Sequence, residues 1–171
     1  MYFLGIDPGY TTGGWAILDR SGAFVDRGEN GEAMDRIIRA VPLGDIRVAG
    51  LELITSQGRD LERRHASANL RESFGYWKGV LDAWGIRTVL WAPATWQSAF
   101  DLIVRGRSFI SETQRRTFKK RLLIERAKQY FPEARITLVK EDGQAAALLL
   151  AYYTLKVEGA ATWTSKRSFV G

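Results

Sequence analysis

The chain has 171 residues, 46% of them hydrophobic and 26% charged, which is enough for one domain, 1–171, with a proper core. It contains no cysteine and one histidine, His65, which excludes a disulfide framework and thiolate metal sites and argues against a zinc centre built on imidazoles. The formal charge of +6 and a pI near 9.8 point to a polyanionic partner.

Carboxylates are therefore the metal ligands available in number, and they suit magnesium or manganese. No apolar run approaches the roughly 20 residues needed to span a bilayer. The start, MYFLGID, lacks the basic region and cleavage site of a signal peptide. The expected location is the cytoplasm, wherever DNA is handled. No repeat, low-complexity tract or linker interrupts the chain.

Tyr2 to Ile6 is a short apolar run ended by Asp7-Pro8-Gly9, which is turn chemistry. Gly14 to Leu18 and Ala23 to Arg27 read as two further strands around the turn Arg20-Ser21-Gly22, and the three together predict an antiparallel meander. A short helix is expected over Gly31 to Val41, with Met34, Ile37, Ile38 and Val41 on one face. Arg47 to Ile54 reads as a strand. A long helix follows from about Leu61 to Trp84, carrying Leu70, Phe74, Trp77 and Leu81 at helical spacing and closed by Gly85. Thr88 to Trp91 is a short strand, and Pro93 starts another helix. Ser111 to Phe131 reads as helix stopped by Pro132, Arg135 to Val139 as a last strand, and Gly143 to Val157 as a buried apolar helix. The fold class is α/β: a mixed five-stranded sheet flanked by helices, in an order that resembles the ribonuclease H-like fold.

Three acids stand out. Asp7 ends an apolar strand at the edge of the sheet, where a cation can meet it; an Asx interaction with the Pro-Gly turn is the ordinary alternative. Glu52 lies in VAGLELI, and a glutamate in a central strand is costly unless it is paired or ligates a metal, the alternative being an edge strand with one wet face. Asp142 precedes an apolar helix and is also an N-cap candidate, with Glu141 beside it as the alternative exposed acid. Acids from distant parts of a chain suit a metal-ion nuclease, in which two cations about 4 Å apart clamp a scissile phosphate.

GIDPG at 5–9, the strand glutamate in LEL at 51–53 and DGQAAALLLA at 142–151 together resemble the RuvC family of Holliday junction resolvases. APATWQSAF (92–100), with its Pro-x-x-Trp element, and KKRLLIERAKQYFP (119–132) are similar to the phage-type and plant chloroplast subgroup. The resemblance implies that Asp7, Glu52 and Asp142 are metal-binding catalytic acids holding two Mg2+ (or Mn2+), in a homodimer that resolves a four-way DNA junction by paired symmetric nicks. It also implies a fourth acid one helical turn after Asp142, where this chain has Ala146, on the same helical face. Either an acid has been replaced there, leaving a nuclease that holds DNA and cuts it poorly, or the protein is a weakened relative.

Nine basic residues lie between Arg105 and Lys128 (Arg105, Arg107, Arg115, Arg116, Lys119, Lys120, Arg121, Arg126, Lys128), opposed only by Glu112 and Glu125, so this stretch nets +7. That concentration is what phosphate contacts require, although a solvated helix face reads the same way. Lys119, Arg126 and Lys128 are expected to reach water, with Phe118, Leu122 and Tyr130 inward; Lys166-Arg167 form a weaker second patch. Trp15, Trp77 and Trp91 fit buried positions, and Trp96 less obviously so. By resemblance, the segment after the Glu52 strand reaches the junction, which makes Thr55, Ser56, Gln57 and Arg59 contact candidates. The helix around Leu70 to Leu81 is the expected dimer interface, and His65 a surface or dimer-contact residue. Rival readings are a branched-DNA-binding protein without catalysis, an RNA–DNA hybrid nuclease of the same fold, and a sugar-kinase or actin-like ATPase module, for which the chain is too short.

Overall fold

The computed structural model describes residues 1–54, 61–104 and 111–167; side chains at 32, 61–67 and 160–167 are outside the description. Three strands open the chain: β1 (Tyr2–Asp7), β2 (Gly14–Asp19) and β3 (Phe24–Glu29). The helix α1 (Ala33–Ala40), the strand β4 (Ile46–Glu52), the long helix α2 (Leu61–Ala83) and the strand β5 (Thr88–Trp91) follow. Three helices complete the order: α3 (Pro93–Ser98), α4 (Glu112–Tyr130) and α5 (Asp142–Arg167). The strands form one five-stranded sheet in the order β3-β2-β1-β4-β5. The β1, β2 and β3 meander is antiparallel, and β4 and β5 are added parallel to β1.

Strand alternation divides the core. Leu4, Ile6, Trp15, Ile17, Ala49 and Leu51 point to the face covered by α1 and α2, where they meet Ile37, Trp77 and Leu81. Ala16 and Leu18 point to the other face, where α5, α4 and α3 supply Leu148, Ala127 and Trp96. The α5 backbone lies almost on β1: a Cβ added to Gly5 would run into the Ala147 carbonyl and the Ala151 backbone. That close approach accounts for the glycine and brings the first turn of α5 down to the end of β1.

Helix ends follow local chemistry. Gly85 takes a positive φ of 66° just past α2, the left-handed conformation that closes a helix. Ser111 caps α4 by accepting a hydrogen bond from the Gln114 N–H at 3.2 Å. Among the described residues no helix is long and apolar enough to cross a membrane.

Several expectations need correction. No strand forms over 135–139. Arg135 sits in the left-handed region with φ of 50°, and the carbonyls and N–H groups around it are taken by side chains of Arg27 and Glu141 instead of a sheet edge. On α1, Ile37 and the following Val41 are buried, whereas Met34 and Ile38 face outward; Met34 instead accepts a hydrogen bond from the Tyr76 hydroxyl at 2.8 Å. The α5 helix continues beyond Val157, and its apolar burial is concentrated between Gly143 and Ala151, while Lys156 and Val157 are exposed. On α4, Ile124 and Ala127 are the buried residues; Phe118 and Leu122 are half-buried and Tyr130 is exposed. Trp77 and Leu81 of α2 face the protein's own sheet, so they are unavailable to a partner, and Tyr76 stands on the outer surface.

Candidate active site

The acids at 7 and 52 occupy the ends of neighbouring parallel strands, one step beyond the paired residues Ile6 and Leu51. Alternation places both on the face covered by α5. There Gly50 approaches the Thr154 hydroxyl, and Gly13 and Gly143 form a parallel backbone bridge between the β1–β2 loop and the start of α5. A Cβ on Gly143 would collide with the Thr12 carbonyl, so this glycine permits the contact that brings the adjacent Asp142 to the ends of the strands.

Asp7 is the middle member. A little of it still meets solvent, but burial pushes its carboxyl up to about 7; the Asp142 charge adds to the rise, while the Gly9 N–H and Lys120 oppose it. Glu52 is pushed up to about 8, first by burial and then by the charge of Asp7, against a lowering hydrogen bond from Trp96. Asp7 is thus within electrostatic range of both other acids.

Each acid has one oxygen engaged by a protein donor. The Gly9 N–H donates to Asp7 Oδ1 at 3.0 Å, so the Asx interaction weighed as the alternative for this aspartate is present. The Trp96 indole N–H donates to Glu52 Oε2 at 2.9 Å. Lys120 Nζ lies 2.9 Å from Asp142 Oδ2. The other oxygen of Asp142, Oδ1, is buried without a hydrogen-bond partner. Asp142 is not an N-cap, since its backbone is already helical. Asn30 holds the loop after Asp7 by donating from Nδ2 to the carbonyls of Asp7 and Gly9, both at 3.0 Å.

Glu141 has another task. It pairs with Arg27 at 2.9 Å and accepts from the N–H groups of Thr137 and Leu138 at 2.8 and 2.6 Å. Arg27 also donates to the carbonyls of Ala134 and Arg135 and to the Gln144 side chain. The pair locks the segment before α5 onto β3, so Glu141 is not an exposed acid standing in for Asp142.

The donor set fits a hard divalent cation: three carboxylates on one face of the sheet and one buried oxygen without a partner. No three acidic or imidazole side chains among the described residues converge into a preassembled cation cluster, however. Ala146, one turn along α5 from Asp142, is only 5% exposed and packs in the core, so the fourth position offers no oxygen.

Of the basic candidates, Arg115, Arg116, Lys119, Lys120 and Arg121 lie on α4. Arg115 and Arg116 pair with Glu112 on the exposed first turn, Lys119 and Arg121 face solvent, and Lys120 turns in towards the acids. Lys128 is exposed, whereas Arg126 is mostly covered and leans towards Asp101. Thr55, Ser56, Gln57, Arg59, Arg105 and Arg107 lie outside the described residues, as do the side chains of His65, Lys166 and Arg167. Trp15 and Trp77 are buried and Trp91 partly so; Trp96, against expectation, is 1% exposed. Sequence reasoning missed the Trp96, Lys120 and Arg27 contacts. The Pro-x-x-Trp spacing was a signal for the first; the other two join residues too far apart in the chain for any spacing to mark.

No protein-family profile and no curated protein sequence matches the chain. Among solved structures it is similar to T. thermophilus RuvC in complex with a Holliday junction substrate, with a TM-score of 0.54 and 11% identity over 92% of this chain and 96% of that one. It is also similar to a second Thermus thermophilus RuvC structure, with a TM-score of 0.50 and 11% identity over 92% and 97% of the two chains. At that identity the likeness shows the fold: the mixed five-stranded sheet with flanking helices is ribonuclease H-like.

Proposed function

We propose that the chain is a metal-dependent endodeoxyribonuclease of RuvC type that binds four-way DNA junctions and nicks them in symmetric pairs. The observation that carries the reading is that the neighbouring parallel strands β1 and β4 end in Asp7 and Glu52, while the Gly13–Gly143 bridge brings Asp142 to the same end of the sheet. Burial of carboxylates is unfavourable unless a cation or a proton compensates, and hard-oxygen donors favour Mg2+ or Mn2+. Bound there, divalent cations supply Lewis-acid stabilisation of the phosphate and an activated water. Asp7, Glu52 and Asp142 would hold them.

The remaining work falls to the protein's own groups. Gly9 and Trp96 each hold one oxygen of an acid, which limits how those carboxylates rotate, while Lys120 occupies one oxygen of Asp142. Lys119 and Arg121 on the open surface of α4 supply charge for the DNA backbone, and the segment after Glu52 would approach the branch point. The T. thermophilus relative with this fold is seen on a Holliday junction, which favours a branched substrate. Two symmetric nicks require two sites, hence a homodimer, with the outer surface of α2 around Tyr76 as its interface.

Ala146 favours a second reading, a branched-DNA binder with little or no cleavage, because alanine stands where the resemblance implies a fourth carboxylate. Cleavage of a synthetic four-way junction in Mg2+ separates the two. The Ala146→Glu variant is expected to cut in symmetric pairs much faster than the parent, and Asp7→Asn in that background to abolish cutting. Tight junction binding with no gain in cutting would leave the pure binder. Preferential competition by an RNA–DNA hybrid would move the substrate class and keep the chemistry.

A further inference from the structure

We propose that Trp96 is a positioning residue for Glu52: its indole N–H fixes the carboxylate so that the second oxygen, Oε1, is the one offered to a divalent cation. The inference rests on the reading of Glu52 as a metal-facing acid.

Glu52 ends β4 opposite Trp91 of β5, and α3 begins two residues after Trp91, with Pro93 in its first turn. This short link returns the Trp96 ring to the end of the sheet. The ring is 1% exposed and packs edge-on against Phe100 with centroids 6.4 Å apart, so it has little freedom to turn. Its nitrogen lies 2.9 Å from Glu52 Oε2, and no other hydrogen bond to the Glu52 carboxylate is present among the described residues.

Chemistry makes the pairing selective. Indole carries one donor and no acceptor, so Trp96 can neither ligate a cation nor exchange a proton; it can only hold the acceptor that faces it. A carboxylate otherwise turns readily about its last bond. Fixing one oxygen selects one orientation before a cation arrives. Outer partners of this kind typically affect metal affinity by about 10- to 100-fold. A phenyl ring is smaller than the indole but remains aromatic and apolar, and it offers no donor.

The test is Mn2+ binding by the full chain, read as free Mn2+ by electron paramagnetic resonance, with thermal melts alongside. Trp96→Phe is expected to weaken Mn2+ binding by about 10-fold, and in a Glu52→Gln background to add little. Should Trp96→Phe fail to fold, β-(3-benzothienyl)alanine at position 96 keeps the bicyclic shape, replaces N–H by sulfur and is expected to give the same loss. A folded Trp96 variant that melts lower but binds Mn2+ like the parent overturns the proposal and leaves a packing role. A loss undiminished by Glu52→Gln overturns it too, since Trp96 would then act elsewhere. If the parent binds no Mn2+, or Asp7→Asn leaves its binding unchanged, the metal-site reading itself fails, and the role of Trp96 with it.

Discussion

Lys120 Nζ stands 2.9 Å from Asp142 Oδ2, and its charge also reaches Asp7, so a cation from α4 already sits among the acids. With the lysine side chain 40% exposed, such a pair contributes about 1 kcal/mol or less. Sequence alone placed Lys120 with the DNA-contacting face of the helix; its partner is an acid. Lys120→Gln is therefore expected to leave Tm within about 3 °C and to tighten Mn2+ binding several-fold, because an ion no longer competes for Asp142. Calorimetric titration decides it. Weaker binding in the variant would mean that the ammonium holds Asp142 in place for the metal.

The raised carboxyls make the metal-free protein sensitive to base. Asp7 is held at about 7 and Glu52 at about 8, against ordinary values near 4, with burial the main cause in both. Between those values the folded chain binds more protons than the unfolded one, so stability falls as pH rises from about 4 to 8 and levels off above. Without metal, Tm at pH 8 is expected to lie several degrees below Tm at pH 5.5. Asp7→Asn should flatten the slope, and saturating Mg2+ should raise Tm mainly at the higher pH, since it binds the deprotonated acids. Differential scanning calorimetry across that range, with and without Mg2+, checks the sign; a Tm that rises between pH 5.5 and 8 in the metal-free chain refutes it.

The sequence made the scaffold and the acids legible for local reasons. Asp7 closes an apolar run before Pro8-Gly9, Glu52 interrupts a strand of aliphatics, and Asp142 opens an apolar helix; each signal lies within a few residues of the acid. The contacts that fix the acids are not local. Trp96 is 44 residues from Glu52, and Arg27 reaches acceptors more than 100 residues away. The segment 135–139 has strand-like residues, but no free sheet edge is given to it. Side chains satisfy its backbone instead, and nothing in RITLV reports that.

Arg27 is where that non-local order is most concentrated. Its guanidinium serves two carbonyls, the Gln144 amide and the Glu141 carboxylate, with both members of the ion pair 14% exposed. Removing one partner of this part-buried pair leaves the other charge and its hydrogen-bond partners uncompensated, at a cost of about 1–3 kcal/mol. Arg27→Met should destabilise by about that amount in urea melts. Glu141→Gln in the same chain should cost much less than the sum of the single changes, since the two act as one unit. Additive losses would show that Arg27 and Glu141 act separately. Loosening this clamp also frees the segment leading into α5, so Mn2+ affinity is expected to fall with stability in both single variants.

The outer surface of α4 yields the last expectation. Lys119 and Arg121 are exposed, whereas Arg115 and Arg116 are engaged by Glu112 at 2.7 and 3.3 Å. If this surface meets the DNA backbone, each lost phosphate contact lowers the dependence of log K on log salt by about 1 and weakens binding to all sequences alike. Lys119→Gln with Arg121→Gln should therefore flatten the salt slope by about 2 in fluorescence-anisotropy titrations with a four-way junction. Glu112→Gln releases two guanidinium groups and should steepen the slope and tighten binding, although it removes the acid from the first turn of the helix. A slope unchanged by the double substitution would place the DNA on another face, with the +7 of this segment serving only as a solvated surface.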